Sequence, residues 1–167
     1  MLWRTHFIAG AGLGAVYGAA FHPNEPLAMA ASTCIGGFAA ALPDIDSPHS
    51  KLGRAVRPVS DVLSFTLGHR GVLHSLLGMV FTIALFAFIA CFWVQVSTVW
   101  NLLIPAAAIG YLSHLALDAL TPGGVPLFWP KRRKYSLPLV KTGSPLERVV
   151  FLPALAATML IFFWGVV

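Results

Sequence analysis

The chain has 167 residues, of which 57% are hydrophobic and only 10% are charged, and its formal net charge at pH 7 is +5. A soluble domain carries about 25% charged residues. This composition excludes an ordinary water-soluble globule and favours a protein that spans a membrane.

Five apolar stretches are candidate membrane spans, in chain order 6–22, 27–43, 72–94, 98–119 and 149–167. Crossing a hydrocarbon layer of about 30 Å takes about 20 helical residues. Backbone polar groups must be satisfied within each span, which favours helices over open strands, and the alternation typical of a membrane barrel is absent. We therefore predict an all-α, polytopic membrane helix bundle of about five transmembrane helices, with residues 1–167 as a single integral membrane domain.

The basic residues predict the orientation of this bundle. With five spans, all 11 Lys and Arg residues fall on one side, at the N-terminus and in loops 44–71 and 120–148. Such loops face the cytoplasm by the positive-inside rule. We expect a multi-pass protein with its N-terminus in the cytoplasm.

Histidines and aspartates recur at the cytoplasmic ends of the predicted spans. PDIDSPHS ends the second span, HRGVLHS precedes the third and YLSHLALDA ends the fourth. In the last of these motifs His114 and Asp118 are four residues apart, and side chains at that spacing share one face of a helix. The potential metal ligands at this depth are His6, Asp44, Asp46, His69, His74, His114 and Asp118. His49 lies nearby in a loop, whereas His22 falls at the opposite end of the first span.

This set favours a metal site, because charged side chains inside a membrane are costly unless something compensates them. The cost on insertion scales is about 2.5–3.5 kcal/mol for each charged residue. Nitrogen and oxygen ligands without cysteine suit Zn²⁺, Mn²⁺ or Fe²⁺ better than Ca²⁺. Since the ligands outnumber those of one tetrahedral ion, we expect two or three divalent ions, zinc first, with manganese or iron as alternatives.

The motifs also carry a family resemblance. His6 in THF, then PDIDSPHS, HRGVLHS and GYLSHLALDALTPGGVPLFWP, in this order, resemble the YdjM/DUF457 family of inner-membrane metal-dependent hydrolases. The resemblance runs from His6 to about Pro130. That family is grouped with zinc-dependent phospholipase C and P1 nuclease, which are all-helical enzymes with two or three zinc ions. The resemblance implies a bacterial inner-membrane hydrolase with a metal site of that kind at the cytoplasmic end.

Phosphoester hydrolysis is the activity that the resemblance implies. A metal-activated water would attack the phosphorus atom, with Asp46, His74 and Arg70 as catalytic residues. Arg70 neighbours His69, and a guanidinium matches two oxygens of a phosphate. The alternative for Arg70 is an interfacial arginine that only sets the topology.

A site at headgroup depth predicts a membrane lipid as the substrate, anionic or phospholipid, because its tails can stay in the bilayer. The basic run KRRK at 131–134 would attract anionic lipid by about 1 kcal/mol per charge. Nucleic acid, the other polyanion that a basic loop can bind, is not the expected partner.

The sequence leaves open both the function and the oligomeric state. The protein is alternatively a non-catalytic membrane protein with a structural metal, or a transporter of divalent metal. The small residues of GAGLGAVYGAA and GGFAAA predict close helix contacts, either within one chain or between copies in a homo-oligomer.

Overall fold

The computed structural model describes residues 1–68, 70–131, 133–157 and 160. Within these residues the prediction of an all-α fold is confirmed, since no strand forms and the one bridge joins Val125 to Tyr135. The α-helices are α1 (Trp3–Phe21), α2 (Pro26–Ala41), α3 (Lys51–Ala55), α4 (Arg57–Leu67), α5 (Leu76–Ala90), α6 (Val96–Thr98) and α7 (Ile104–Ala119).

Short turns of other helical types extend or precede these helices. A 3-10 turn, Leu42–Asp46, continues α2, and another, Val72–His74, precedes α5. A π-helical turn, Val99–Leu103, joins α6 to α7, and a second one covers Leu146–Phe151.

Two helical runs in the described part of the chain are long and apolar enough to cross a membrane. They are Pro26–Asp46, with 21 residues, and Val96–Ala119, with 24 residues. Helix α1 has 19 residues, and α5 is apolar but has only 15. Residues 158, 159 and 161–167 of the predicted span 149–167 lie outside the described residues, so the five-span arrangement stays a prediction.

Helix α5 begins later than the predicted span 72–94. Ser75 is extended, and its hydroxyl accepts a hydrogen bond from the Gly78 N–H at 3.1 Å. A serine in this role caps a helix start, so the regular helix begins at Leu76. His74 therefore lies in the preceding 3-10 turn.

Helices α1, α2 and α7 cross one another at glycines. A Cβ on Gly10 or on Gly110 would collide with the carbonyl oxygen of Gly36, and one on Gly14 would collide with that of Ser32. Small residues at such crossings let helix backbones approach closely. The close contacts predicted from the small residues therefore form within one chain.

This crossing sets the level of the candidate site. One helical turn beyond the crossing glycines, the three helices contribute His6, Ala40 and His114 to a common layer. Helix α1 runs antiparallel to the other two there, so the start of α1 meets the ends of α2 and α7.

The end of α2 brings two aspartates to the same layer. Pro43 is an early residue of the 3-10 turn, and it lacks the N–H that would continue α-helical bonding. The turn buries Asp46 completely and leaves Asp44 partly exposed. The Ser50 hydroxyl donates to the Asp44 carbonyl at 2.8 Å and caps α3 by accepting from the Gly53 N–H at 2.8 Å.

Candidate metal centre

The centre is built around the stacked rings of His6 and His114. Their centroids are 3.9 Å apart and their planes differ by 23°. Both side chains are fully buried. The His114 Nδ1 lies 2.7 Å from the Ala40 carbonyl oxygen, so this nitrogen donates and Nε2 carries the lone pair. A hydrogen bond of this kind fixes the tautomer and direction of a metal-binding imidazole.

The carboxylate of Asp118 lies next to the Nε2 atoms of both rings. Its Oδ1 is 3.3 Å from His6 Nε2, and its Oδ2 is 3.8 Å from His114 Nε2. The predicted one-turn relation of His114 to Asp118 on α7 is therefore present. The N-terminal amine of Met1 also donates to Asp118 Oδ1.

His74 approaches the same carboxylate from the turn before α5. Its Nε2 lies 3.8 Å from Asp118 Oδ2, and its Nδ1 lies 3.1 Å from Asp46 Oδ2. Asp46 thus orients His74 in the way that a carboxylate commonly orients a ligating histidine. His74 also stands edge-on to His114, with centroids 5.0 Å apart.

The geometry of His6, His114 and Asp118 fits a divalent ion. Ligand atoms around a tetrahedral zinc lie about 3.3–3.6 Å apart for bonds of about 2.0–2.2 Å, close to the 3.3 and 3.8 Å found here. Both ring nitrogens of His6 and the Nε2 of His114 are buried without a hydrogen-bond partner among the described residues. Unsatisfied buried polar atoms are costly, and a cation would satisfy those that face Asp118.

A second group of potential ligands overlaps the first. One ligand atom each from Asp44, His74 and His114 lie within 4.8 Å of one another. Because Ala40 occupies the Nδ1 of His114, only one nitrogen of that ring is available. The two groups therefore compete for His114, and a second ion would need further ligands.

Arg70 reaches the centre from the loop between α4 and α5. Its Nη2 lies 3.1 Å from Asp118 Oδ2, and its Nη1 donates to the Gly124 carbonyl at 3.1 Å. The backbone of Arg70 has φ +58°, which costs about 1–2 kcal/mol in a residue with a side chain. These contacts hold the guanidinium against Asp118 and compensate that cost.

A polar cavity of about 360 Å³ opens beside the cluster. Asp44, Asp118 and Arg70 line it, together with two further cationic side chains, Lys51 and Arg54. The remaining lining residues are Met1, Leu2, Trp3, Ser47, His49, Ser50 and Thr142. The cavity leads from the surface to Asp44 and Asp118 past three cationic side chains.

The structure thus brings together six of the seven predicted ligands. His6, Asp44, Asp46, His74, His114 and Asp118 converge, whereas His69 lies outside the described residues. His49 lines the polar cavity. His22 lies at the far end of α1, where its ring nitrogens face Glu25 Oε1 at 3.4 Å and the Asn101 carbonyl at 3.3 Å. Arg132 of the KRRK run is also outside the described residues.

Sequence reasoning missed the role of Glu147. Its carboxylate is fully buried and accepts hydrogen bonds from the Leu2 N–H at 2.6 Å, the Thr5 hydroxyl at 2.9 Å and the Gly143 N–H at 2.7 Å. These bonds tie the loop before residue 147 to the start of α1, next to His6. The scarcity of acidic residues in the chain was the available signal, because an acidic side chain that is buried in such an apolar protein needs a partner.

The fold and the cluster together define a helical protein with a buried group of histidines and aspartates at one end of a three-helix crossing. The family model for the YdjM inner membrane protein matches residues 1–167. The chain belongs to this family of bacterial inner membrane proteins.

Individual relatives agree with this assignment. The chain is 42% identical over 132 residues to proteins of Escherichia coli and of Shigella flexneri, both named inner membrane protein YdjM. The match covers 75% of this chain and 60% of each relative, so the chain spans about 60% of their length. It is 36% identical to YvsG of Bacillus subtilis, named an uncharacterized protein, over 90% of this chain and 87% of that one. No solved structure matches the chain.

Proposed function

We propose that this protein is a membrane-embedded, metal-dependent hydrolase that cleaves phosphoester bonds of a membrane lipid at the cytoplasmic leaflet. One observation carries the proposal: the Nε2 atoms of His6 and His114 are buried without a hydrogen-bond partner among the described residues, and they lie 3.3 and 3.8 Å from the Asp118 carboxylate. The adjoining cavity is lined by three cationic side chains, Lys51, Arg54 and Arg70.

His6, His114 and Asp118 would hold the ion, with Asp44 and His74 as further ligands. Zinc suits this donor set, and manganese or iron are the alternatives. Bound there, the ion would supply Lewis-acid activation of a phosphoryl oxygen and of an attacking water.

The protein's own residues would position the substrate. Lys51 and Arg54 attract a phosphate into the polar cavity, and Arg70 offers a planar guanidinium at its inner end. The His74–Asp46 pair lies beside Asp118, and Asp46 would keep the His74 Nε2 directed toward the ion.

A structural metal in a non-catalytic protein is the second candidate, favoured by the complete burial of His6, His74 and His114. The polar cavity argues for catalysis, because it reaches Asp44 and Asp118 from outside. A purely structural site is normally closed by its protein ligands. A metal transporter is supported less, since the described potential ligands gather at one end of the helices.

The test uses the full chain, purified and reconstituted with zinc or manganese. Vesicles of mixed phospholipids and the soluble diester bis(p-nitrophenyl) phosphate are offered as substrates, and released headgroup, phosphate or nitrophenol is measured. We expect turnover that a chelator abolishes and that His114→Ala loses, whereas the neighbouring Ser113→Ala retains it. Stoichiometric metal with no turnover on any of these esters would favour the structural role instead.

A further inference from the structure

A second, apolar cavity of about 250 Å³ adjoins the polar one. The two cavities share Trp3, Asp44 and Lys51 as lining residues. The rest of the second cavity is apolar, and its lining residues are Phe7, Phe38, Ala41, Leu52 and Ala55. A phosphate beside Lys51 would therefore lie next to a space lined mainly by apolar side chains.

The boundary between the cavities is built from an aromatic ring and a cation. The Lys51 ammonium lies 3.9 Å from the centroid of the Trp3 ring. The ring offers an apolar face to one side, while the ammonium attracts a negative headgroup to the other. This arrangement matches a molecule with one charged and one apolar part.

One wall of the apolar cavity is an exposed side chain on a helix that could cross a membrane. Phe38, on the candidate membrane-spanning run Pro26–Asp46, is 66% exposed. The Phe7 ring stands edge-on to Phe38 with centroids 5.6 Å apart, and it lies so close to Gly37 that a Cβ there would be 3.0 Å from the ring. The Phe7 ring is therefore packed closely against α2, while Phe38 is exposed at the edge of the cavity.

We propose that the apolar cavity binds the headgroup-proximal part of one hydrocarbon chain of an anionic phospholipid whose phosphate occupies the polar cavity. This rests on the proposed function, because it names the lipid part that the hydrolase would hold. The bilayer is as apolar as the cavity, so burial of the chain adds little affinity. The cavity instead fixes the direction in which the phosphoester enters, between Lys51 and Asp44.

The experiment uses photocrosslinking and needs no turnover. The full chain is reconstituted in phosphatidylcholine vesicles with a phosphatidic acid that carries a diazirine near the start of one acyl chain. Irradiation and peptide mapping should place most adducts on Phe7, Phe38 and Leu52. A diacylglycerol with the same diazirine chain lacks the phosphate and should label these residues at least about fivefold less.

Substitutions that fill the cavity provide the second arm. Ala55 is exposed and lines this cavity, so Ala55→Phe and Ala55→Trp should reduce cavity labelling progressively. Ala116, also exposed but on α7, lines neither cavity, and Ala116→Trp should leave labelling unchanged. Labelling spread over the exposed face of α5, or equal labelling by the diacylglycerol, would overturn the proposal.

Failure of this proposal and failure of the hydrolase proposal give different results. If the wild-type protein cleaves bis(p-nitrophenyl) phosphate but the lipid labels elsewhere, the chain-binding cavity is wrong and the hydrolase stands. If the lipid labels the cavity in a phosphate-dependent way but no ester is cleaved, the hydrolase is wrong and the lipid site stands as a binding site.

Discussion

His6 stacks on His114 with ring centroids 3.9 Å apart, although the two residues lie on helices that are distant in the sequence, α1 and α7. The contact exists because α1 and α7 both pack against α2 at glycines one turn away. The Ala40 carbonyl then directs the Nε2 of His114 toward Asp118. The backbone crossing and the candidate metal centre are therefore one structural unit.

A side chain at the crossing of α7 with α2 should destabilise the fold that holds the candidate metal centre. A Cβ at Gly110 would collide with the Gly36 carbonyl, so we expect Gly110→Val to destabilise the fold by about 1–3 kcal/mol or more. Thermal unfolding in detergent, monitored by circular dichroism, measures this loss of stability. Ala116→Val, at an exposed position of the same helix, should leave the midpoint almost unchanged. A Gly110→Val protein as stable as the wild type would show that the helices do not cross this closely.

Asp46 should act mainly by orienting His74. Its Oδ2 lies 3.1 Å from His74 Nδ1, and loss of such an outer carboxylate lowers metal affinity by about 10–100-fold. We expect Asp46→Asn to show a drop of that size in competition with a chelator, with Asp61→Asn, in exposed α4, as the control. Unchanged affinity would remove Asp46 from the centre, whereas complete loss of metal would make it a direct ligand, as the sequence predicted.

Arg70 should act on the substrate rather than on the fold. A lysine at this position keeps the charge but loses the planar fork that matches phosphate. We therefore expect Arg70→Lys to raise the KM for the phosphoester by about tenfold, which corresponds to about 1.4 kcal/mol, with metal content retained. Arg57→Lys on the exposed face of α4 is the matched control. An unaltered KM would leave Arg70 with only a structural role at Asp118 and Gly124.

Glu147 should stabilise the start of α1. Its buried carboxylate accepts three hydrogen bonds, and an amide in its place would set an N–H group against another donor. Hydrogen bonds to charged groups contribute about 1.5–3 kcal/mol, so Glu147→Gln should lower the unfolding midpoint clearly. Glu25→Gln, at an exposed position, serves for comparison. Equal midpoints for the two variants would contradict the buried role.

The sequence predicted the cluster better than the helices around it. The cost of charge in an apolar chain pointed to His6, His114 and Asp118 together, and their convergence follows from helix ends meeting at one depth. The start of α5 was misplaced, because hydropathy does not register the cap made by Ser75. The role of Glu147 was not predicted, because its partners Leu2 and Thr5 are too distant in sequence for any local pattern to reveal.

The small residues illustrate the same limit. Their spacing predicted close helix contacts, but a pattern of glycines does not say which helix lies opposite. Gly36 meets both Gly10 and Gly110, a three-way contact that depends on the tertiary fold. The polar and apolar cavities were likewise not predicted. Trp3 at the start of α1 and Lys51 at the start of α3 are brought together only by the tertiary fold.

The most direct test of the metal centre is the metal content of the purified full chain. We would measure it by mass spectrometry after dialysis against trace zinc, for the wild type, His114→Ala and Ser113→Ala. The geometry predicts at least one equivalent of divalent metal in the wild type and in Ser113→Ala, and its loss in His114→Ala, with all three proteins inserted and folded. Wild-type protein without metal, or a His114→Ala variant that retains it fully, would contradict the centre proposed here.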